Sequence, residues 1–333
     1  MRRGFLAWVL LPVSQIFSLL AALRRALYVA GLLKVARIPV PVIVVGNIFV
    51  GGTGKTPFTI WLVDCLRRAG FFPGVISRGY GARNDKPQSV SEFSAPETAG
   101  DEPILIATRA GCPVVVSRDR AAAAQALLQA CPEVNIIVSD DGLQHYALGR
   151  DMEIVLCDGR GNGNGWLLPA GPLREPPSRR RDFTVFNGKQ RPIDIPPDAF
   201  RMQLVGESAE RLFDRTQKVA LHEIAAFPVG TGACARVLAA AGIGNPARFF
   251  TLLRDAGIDF DEMPLPDHYD FAENPFAATQ ADVILITEKD AVKCAQTDAL
   301  RDDPRIWVVP VTARIDGGLA ERIVEKCRGF PTA

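Results

Sequence analysis

The sequence predicts an α/β protein: a doubly wound parallel sheet, then a second, smaller α/β domain joined to it by a two-stranded linker. Three observations predict this. Short β-branched runs alternate with helical segments along the first part of the chain. One run, 42–46, empties into a glycine-rich loop ending Gly54-Lys55-Thr56. After proline-rich stretches near 169–177 and 192–197 the alternation resumes at about 233.

The amino terminus comes first. Residues 4–23 carry no charge and lie between Arg2-Arg3 and Arg24-Arg25. A secretory signal, a spanning helix and a helix lying on a membrane all have such flanks. Pro12, Ser14, Gln15 and Ser18 weaken a span. Arg3, Ser14, Ser18, Ala21 and Arg25 fall near one helical face, while Phe5, Trp8, Val9, Ile16, Leu19, Leu20 and Leu23 crowd elsewhere. Further positive charge follows at Lys34 and Arg37, and a nucleotide loop starting about ten residues after them argues against export. The expectation is a membrane-associated helix within residues 1–36, with a buried core helix as the plainer alternative.

Strands are expected at 41–46, 73–77, 113–117, 134–139, 152–157 and 183–187, and helices at 54–69, 101–110 and 118–131. They make up a first domain over 37–198. Two extended segments, 199–206 and 218–226, read as a ribbon linking the halves (199–232). The second domain, 233–333, has strands at 235–240, 282–287 and 306–311 and a helix at 246–256. Gly242-Ile243-Gly244 lacks the third glycine of a dinucleotide fingerprint and reads as a tight strand-to-helix turn.

The first strand, the loop and the helix opened by Lys55 have the layout of a P-loop, so the first domain is P-loop NTPase-like. In such a loop the backbone N–H groups of Gly51, Gly52, Thr53 and Gly54 wrap nucleotide phosphates. Lys55 reaches the β/γ-phosphates, and the Thr56 hydroxyl holds Mg²⁺. The strict pattern wants glycine at 49, where this chain has Phe49. An ordinary glycine-rich turn is the alternative, and the order of strand, loop and helix argues against it.

Asp140 and Asp141 end an apolar strand, where P-loop proteins keep a magnesium carboxylate; a turn role is the alternative. Gly100-Asp101-Glu102-Pro103 opens a helix, either as a simple cap or as a carboxylate placed to take a proton from an attacking hydroxyl. Of three histidines, His145 follows the acidic pair, His222 lies in the expected ribbon, and His268 sits in a loop of the second domain. His268 is either solvated or positioned across the cleft to orient a carboxylate base. The proline-framed loop 167–176 presents Arg174 and Glu175 and runs into Arg179-Arg180-Arg181, a solvated face or a dock for acidic substrate. Thr287-Glu288-Lys289-Asp290 has capping-box spacing and reads as structural.

Lysine plus arginine (38) exceeds aspartate plus glutamate (37) by one, so no global field recruits nucleic acid. Seven scattered cysteines without a Cys-x-x-Cys pair indicate reduced thiols.

Taken in order, these motifs resemble the tetraacyldisaccharide 4′-kinase family over nearly the whole chain. The residues that carry it are Gly46-Asn47 through Pro57, Ser77-Arg78-Gly79-Tyr80-Gly81, Gly100–Pro103, Asp140-Asp141-Gly142-Leu143-Gln144-His145, Leu168–Pro176, Gly242–Pro246 with Arg248-Phe249-Phe250, Pro266-Asp267-His268, and Thr287–Lys293. The resemblance implies phosphoryl transfer from ATP, with Mg²⁺, to the 4′-hydroxyl of an acylated glucosamine disaccharide 1-phosphate. This is a step of lipid A synthesis at the cytoplasmic face of the inner membrane. It implies a base at Asp101 assisted by His268, phosphate and metal contacts at Thr53, Lys55, Thr56, Asp140, Asp141 and Glu175, and substrate-side roles for Arg78, Gln144, His145 and Arg174. The rival reading is a membrane-associated MinD/ParA-like ATPase switch. Those proteins carry a lysine where this chain has Val50, which counts against it. A soluble small-molecule kinase is the third reading.

Overall fold

The computed structural model describes residues 3–79, 86–226 and 235–330. Tyr80 and Gly81 of the Ser77–Gly81 motif, and Cys234, lie outside them.

Two helices, α1 (Phe5–Val9) and α2 (Leu11–Val29), precede the first sheet. Strand β1 (Val42–Asn47) is buried along its whole length and leads through the glycine loop into α3 (Lys55–Arg68). Helix α3 buries Phe58, Leu62, Val63 and Leu66, the stripe that packs a helix on a sheet. Next come β2 (Pro73–Ser77), β3 (Gln88–Val90), α4 (Pro96–Ala99), α5 (Asp101–Ala110), β4 (Val114–Val116), α6 (Arg120–Ala130), β5 (Ile136–Asp140), β6 (Met152–Asp158), β7 (Phe183–Asn187) and β8 (Phe200–Val205).

The small lobe holds β9 (Ser208–Arg211), β10 (Lys218–Ala220), a 3-10 turn (Leu221–Ala226), β11 (Val237–Ala241), α7 (Pro246–Asp255), β12 (Asp261–Pro264), β13 (Val283–Thr287), α8 (Glu288–Cys294), α9 (Asp298–Arg301) and β14 (Ile306–Val309). The chain then returns through β15 (Thr312–Ile315) and α10 (Leu319–Arg328).

The large sheet has the order β15-β8-β7-β6-β1-β5-β2-β4-β3, and the small one β10-β9-β14-β13-β11-β12. From β8 to β4 every pairing is parallel, and both edge strands, β15 and β3, pair antiparallel. The parallel strands are covered by helices on both faces, which is why they read as unbroken apolar runs. Ligands of such a sheet collect beyond the carboxyl ends of its strands. The loops after β1, β5 and β6 and the head of α5 lie at that edge.

Two expectations need correction. The segment 199–206 does form a strand, but its antiparallel partner is β15, not 218–226. Residues 218–220 instead pair with β9 at the edge of the small sheet, and the 3-10 turn follows. The two lobes are therefore bridged where β8 runs into β9 and β14 runs into β15. The second domain also does not extend to the carboxyl terminus as the 233–333 boundary had it. Helix α10 carries Leu319, Ile323 and Cys327 at four-residue spacing and buries them in the core of the large lobe beside α3.

Candidate active site

The glycine loop is held from outside. Asn47 Nδ2 donates to the carbonyls of Phe49 (2.6 Å) and Gly51 (3.0 Å), and Asn187 Nδ2 from β7 donates to that of Thr53 (3.0 Å). Gly54 is left-handed (φ 92°), and a Cβ there would lie 2.6 Å from Asn187 Nδ2, so only glycine fits. Phe49 is buried, bridges to Leu173 and lies under the Arg160 guanidinium (4.3 Å). It ties the glycine loop to the 167–176 loop, which explains an aromatic where the strict pattern has glycine. Thr53 Oγ1 is buried without a hydrogen-bond partner. Such an orphaned hydroxyl fits a loop built to receive a ligand.

The two strand-end carboxylates face different ways. Asp140 is fully buried and accepts from Thr59 Oγ1 (3.2 Å) and Ser77 Oγ (3.4 Å). Burial pushes its carboxyl up to about 6, with Glu102 and Asp141 adding to the effect against Lys55 and Arg120. Asp141 takes a left-handed conformation (φ 47°) that turns its side chain toward Lys55 Nζ (3.6 Å) and Arg174 Nη1 (3.2 Å). Burial opposes its ionisation, but those two cations win and its carboxyl lies below the usual range.

Asp101 starts α5 and is buried. Its Oδ1 accepts from the Glu102 N–H (3.1 Å). Its Oδ2 lies 3.3 Å from His268 Nδ1, 3.3 Å from Lys293 Nζ and 3.9 Å from Lys289 Nζ, all contributed by the small lobe. Burial pushes this carboxyl up, yet the His268 hydrogen bond and the two ammonium groups outweigh it and hold it well below the carboxylate range. Lys289 also reaches Glu102 Oε1 (3.1 Å) and His268 Nε2 (3.5 Å). Its motif is thus more than the structural cap expected: Thr287 Oγ1 does cap α8 by accepting from Asp290 N, while Lys289 and Lys293 serve the acid. What hid them from the sequence is that their partner lies in the other lobe.

A cavity of about 750 Å³ runs between the lobes, lined by Gly52–Pro57, Glu102, Asn187, Gln203–Gly206, Ile243–Asn245, Arg248 and Lys289. The structure brings Gly52, Thr53, Gly54, Lys55 and Thr56 together on it; Asp101 and His268 do not line it themselves, but Glu102 beside Asp101 and Lys289 against His268 do. Gly51 sits behind the loop against Arg160.

Glu175 departs from expectation. Its carboxylate accepts from Gln144 Nε2 (2.8 Å), Tyr146 OH (2.8 Å) and the buried Arg179. With its charge matched by Arg179 and both oxygens engaged, it is a strut under the 167–176 loop in this arrangement, where the expectation was a metal contact. Arg179 likewise leaves the expected solvated run: it is buried and also pairs with Glu153 (2.5 Å). Gln144 is part of this strut. Arg78 is exposed at the end of β2, and Arg174 is spent on Asp141. Burial pushes the His145 imidazole down to about 4, aided by Arg120, and its Nε2 is buried without a partner.

Among the described residues no group of three or more histidine, cysteine or acidic side chains could by itself hold a metal. Magnesium carried on nucleotide takes one or two carboxylates and a hydroxyl and fills the rest with phosphate and water, a donor set that Thr56 with Asp141 or Asp140 could supply.

Helix α2 docks by its polar face. Ser14 Oγ donates to the Leu167 carbonyl (2.7 Å), and Trp8 stands edge-on to Trp166 (4.9 Å). Phe5 (85% exposed), Ile16, Leu19, Leu20 and Leu23 face outward. No helix of the described residues is long and apolar enough to cross a membrane.

The family model described as tetraacyldisaccharide-1-P 4′-kinase matches residues 6–328. The tetraacyldisaccharide 4′-kinase of Janthinobacterium sp. (strain Marseille) is 67% identical over 98% of this chain and 94% of its own, and that of Herminiimonas arsenicoxydans is 63% identical over 100% and 95%. The crystal structure of the "apo" form of LpxK from Aquifex aeolicus in complex with ATP is similar over 97% of this chain and 99% of its own, with a TM-score of 0.80 at 29% identity.

Proposed function

The chain belongs to the tetraacyldisaccharide 1-phosphate 4′-kinase family, and from that membership we propose how its own residues carry out the reaction. It is a lipid kinase of lipid A synthesis that moves the γ-phosphoryl group of ATP to the 4′-hydroxyl of tetraacyldisaccharide 1-phosphate, giving lipid IVA. The observation that carries the reading is the meeting of Asp101 and His268 beside the cavity that Gly52–Thr56 line.

Phosphoryl transfer asks mainly for in-line placement and charge neutralisation. The loop N–H groups and Lys55 bind the phosphate chain, and Thr53 Oγ1 finds its missing partner there. Thr56 and Asp141 would hold magnesium. Asp141 is the better candidate because it faces Lys55, whereas Asp140 is enclosed by two hydroxyls. Bound there, the metal offsets charge on the transferring group. Asp101 accepts the sugar proton on Oδ1, the oxygen engaged only by its own helix N–H, while His268 holds Oδ2.

The outward apolar face of α2 lies on an anionic membrane surface, with Arg24, Arg25, Lys34 and Arg37 at the headgroups. Because α2 docks on the 164–168 loop, the cavity stays within reach of an acceptor whose acyl chains remain in the bilayer. On this reading the enzyme works at the cytoplasmic face of the inner membrane, where ATP is available. Incubation of purified protein with γ-labelled ATP, Mg²⁺ and the acceptor tests the reading. Label in extracted glycolipid supports it; hydrolysis with no labelled lipid refutes it in favour of an ATPase switch.

A further inference from the structure

Glu288, the first residue of α8, has no part in capping its own helix. The cap is completed by Thr287 and Asp290, yet Glu288 is only 5% exposed. A buried carboxylate has to be paired. Its partners come from three separate places. Oε1 takes the guanidinium of Arg109, from the last turn of α5 in the large lobe, and lies 3.5 Å from Arg215 Nη2 in the loop between β9 and β10. Oε2 accepts from the Val311 N–H (3.2 Å), where the chain passes from β14 in the small lobe to β15 in the large one.

The same two helices carry the acid of the site and two of its cations. Asp101 heads α5, and Lys289 and Lys293 follow Glu288 on α8. The distances of 3.3 Å from Asp101 Oδ2 to His268 and to Lys293 span two lobes, so they depend on how α8 sits on α5. A relative shift of about 1 Å takes such contacts out of hydrogen-bond range. The lysines themselves are mobile point charges and fix no orientation. The Arg109–Glu288 pair is different in kind, because a guanidinium on a carboxylate is planar and directional.

We propose that Glu288 is a positioning residue for the transfer step. Gripped by Arg109 and by the Val311 N–H, it fixes α8 on α5 and so sets Lys289 and Lys293 at Asp101. It touches no reacting atom and acts through that acid. The inference rests on the reading of Asp101 as proton acceptor and adds the group that keeps the acid's surroundings in register.

The test is a double-mutant cycle on the full chain, read by single-turnover transfer of label from γ-labelled Mg-ATP to the lipid acceptor. Glu288→Gln keeps the shape of the side chain and removes its charge. It should slow transfer about 10-fold, the scale of a weakened charge-assisted hydrogen bond, with ATP affinity within about 2-fold. In an Asp101→Ala background the same change should cost less than about 2-fold, because the acid it positions is gone. Arg109→Met removes the other end of the pair and should reproduce both results; it carries the test alone if Glu288→Gln does not fold. Transfer at the full rate by these variants overturns the proposal. So do equal losses in the two backgrounds, which mark a general packing defect. Full-rate transfer by Asp101→Ala defeats the proton-acceptor reading itself and this inference with it, a result distinct from either.

Discussion

His268 Nδ1, on a loop of the small lobe, lies 3.3 Å from Oδ2 of Asp101, at the head of α5 in the large lobe. A helix start is already a favourable place for a carboxylate. Here His268, Lys289 and Lys293 add to it and more than offset the cost of burial. The folded-state pKa is therefore depressed below the unfolded value of about 3.9. Stability from this group is fully present above that value and is lost as pH falls through the folded one. Urea unfolding of the unaltered chain and of Asp101→Asn between pH 3 and 7 should show a stability gap that narrows toward the acid end. A gap that widens in acid contradicts the assignment.

Lys289 fixes which nitrogen of His268 carries the proton. Nδ1 faces a carboxylate and Nε2 faces an ammonium at 3.5 Å, so Nδ1–H with a lone pair on Nε2 satisfies both. Asp267 and Glu102 flank Lys289, and Lys293 stands on the far side of Asp101. Lys289→Met removes the ammonium that stands against His268 Nε2 and Glu102, so kcat should fall about 10-fold with ATP affinity within about 2-fold, the scale of a lost charge-assisted hydrogen bond. Lys289→Arg, which keeps the charge, should recover part of the loss. A Lys289→Met enzyme with unaltered kcat excludes the role.

Glu175 separates a strut from a metal ligand. Glu175→Gln leaves the buried Arg179 with Glu153 alone, and removing one partner of a buried pair costs about 3–5 kcal/mol. Urea unfolding should show a loss toward the lower end of that range, with the magnesium dependence of activity unchanged. A variant of normal stability with a raised magnesium requirement returns Glu175 to the metal.

The apolar face of α2 makes a separate prediction. Leu19, Leu20 and Leu23 are exposed, and each buries about 1.5–3 kcal/mol of side chain when it enters an apolar phase. Changing all three to Ser should reduce co-sedimentation with anionic lipid vesicles by at least ~10-fold. Turnover of a detergent-dispersed acceptor should be preserved. Unchanged sedimentation argues against the membrane role of this face.

The reach of the sequence is easy to trace in particular residues. The parallel core was legible because central strands such as Val42–Asn47 are buried on both faces and must be apolar throughout. The nucleotide loop was legible because Gly54 answers a local backbone demand. Short edge strands were not: Gln88–Val90 and Thr312–Ile315 carry little periodicity, and their pairing depends on distant segments. The same blindness covered Lys289, Lys293, Asp158 and Arg248. Each has an ordinary local reading as helix surface or strand end, and its partner stands in the other lobe or across the loop. Arg179 was misread because three successive arginines resemble a solvated run, while burial by Glu175 and Glu153 is a tertiary fact.

The central claim is that Asp101 takes the acceptor's proton opposite the nucleotide cradle. Single-turnover transfer of labelled phosphate to the lipid acceptor by Asp101→Ala, at saturating Mg-ATP, tests it most directly. The transfer rate should fall at least ~100-fold while ATP affinity stays within about 2-fold of the unaltered enzyme. Transfer at the full rate, or a loss explained entirely by weakened ATP binding, contradicts it.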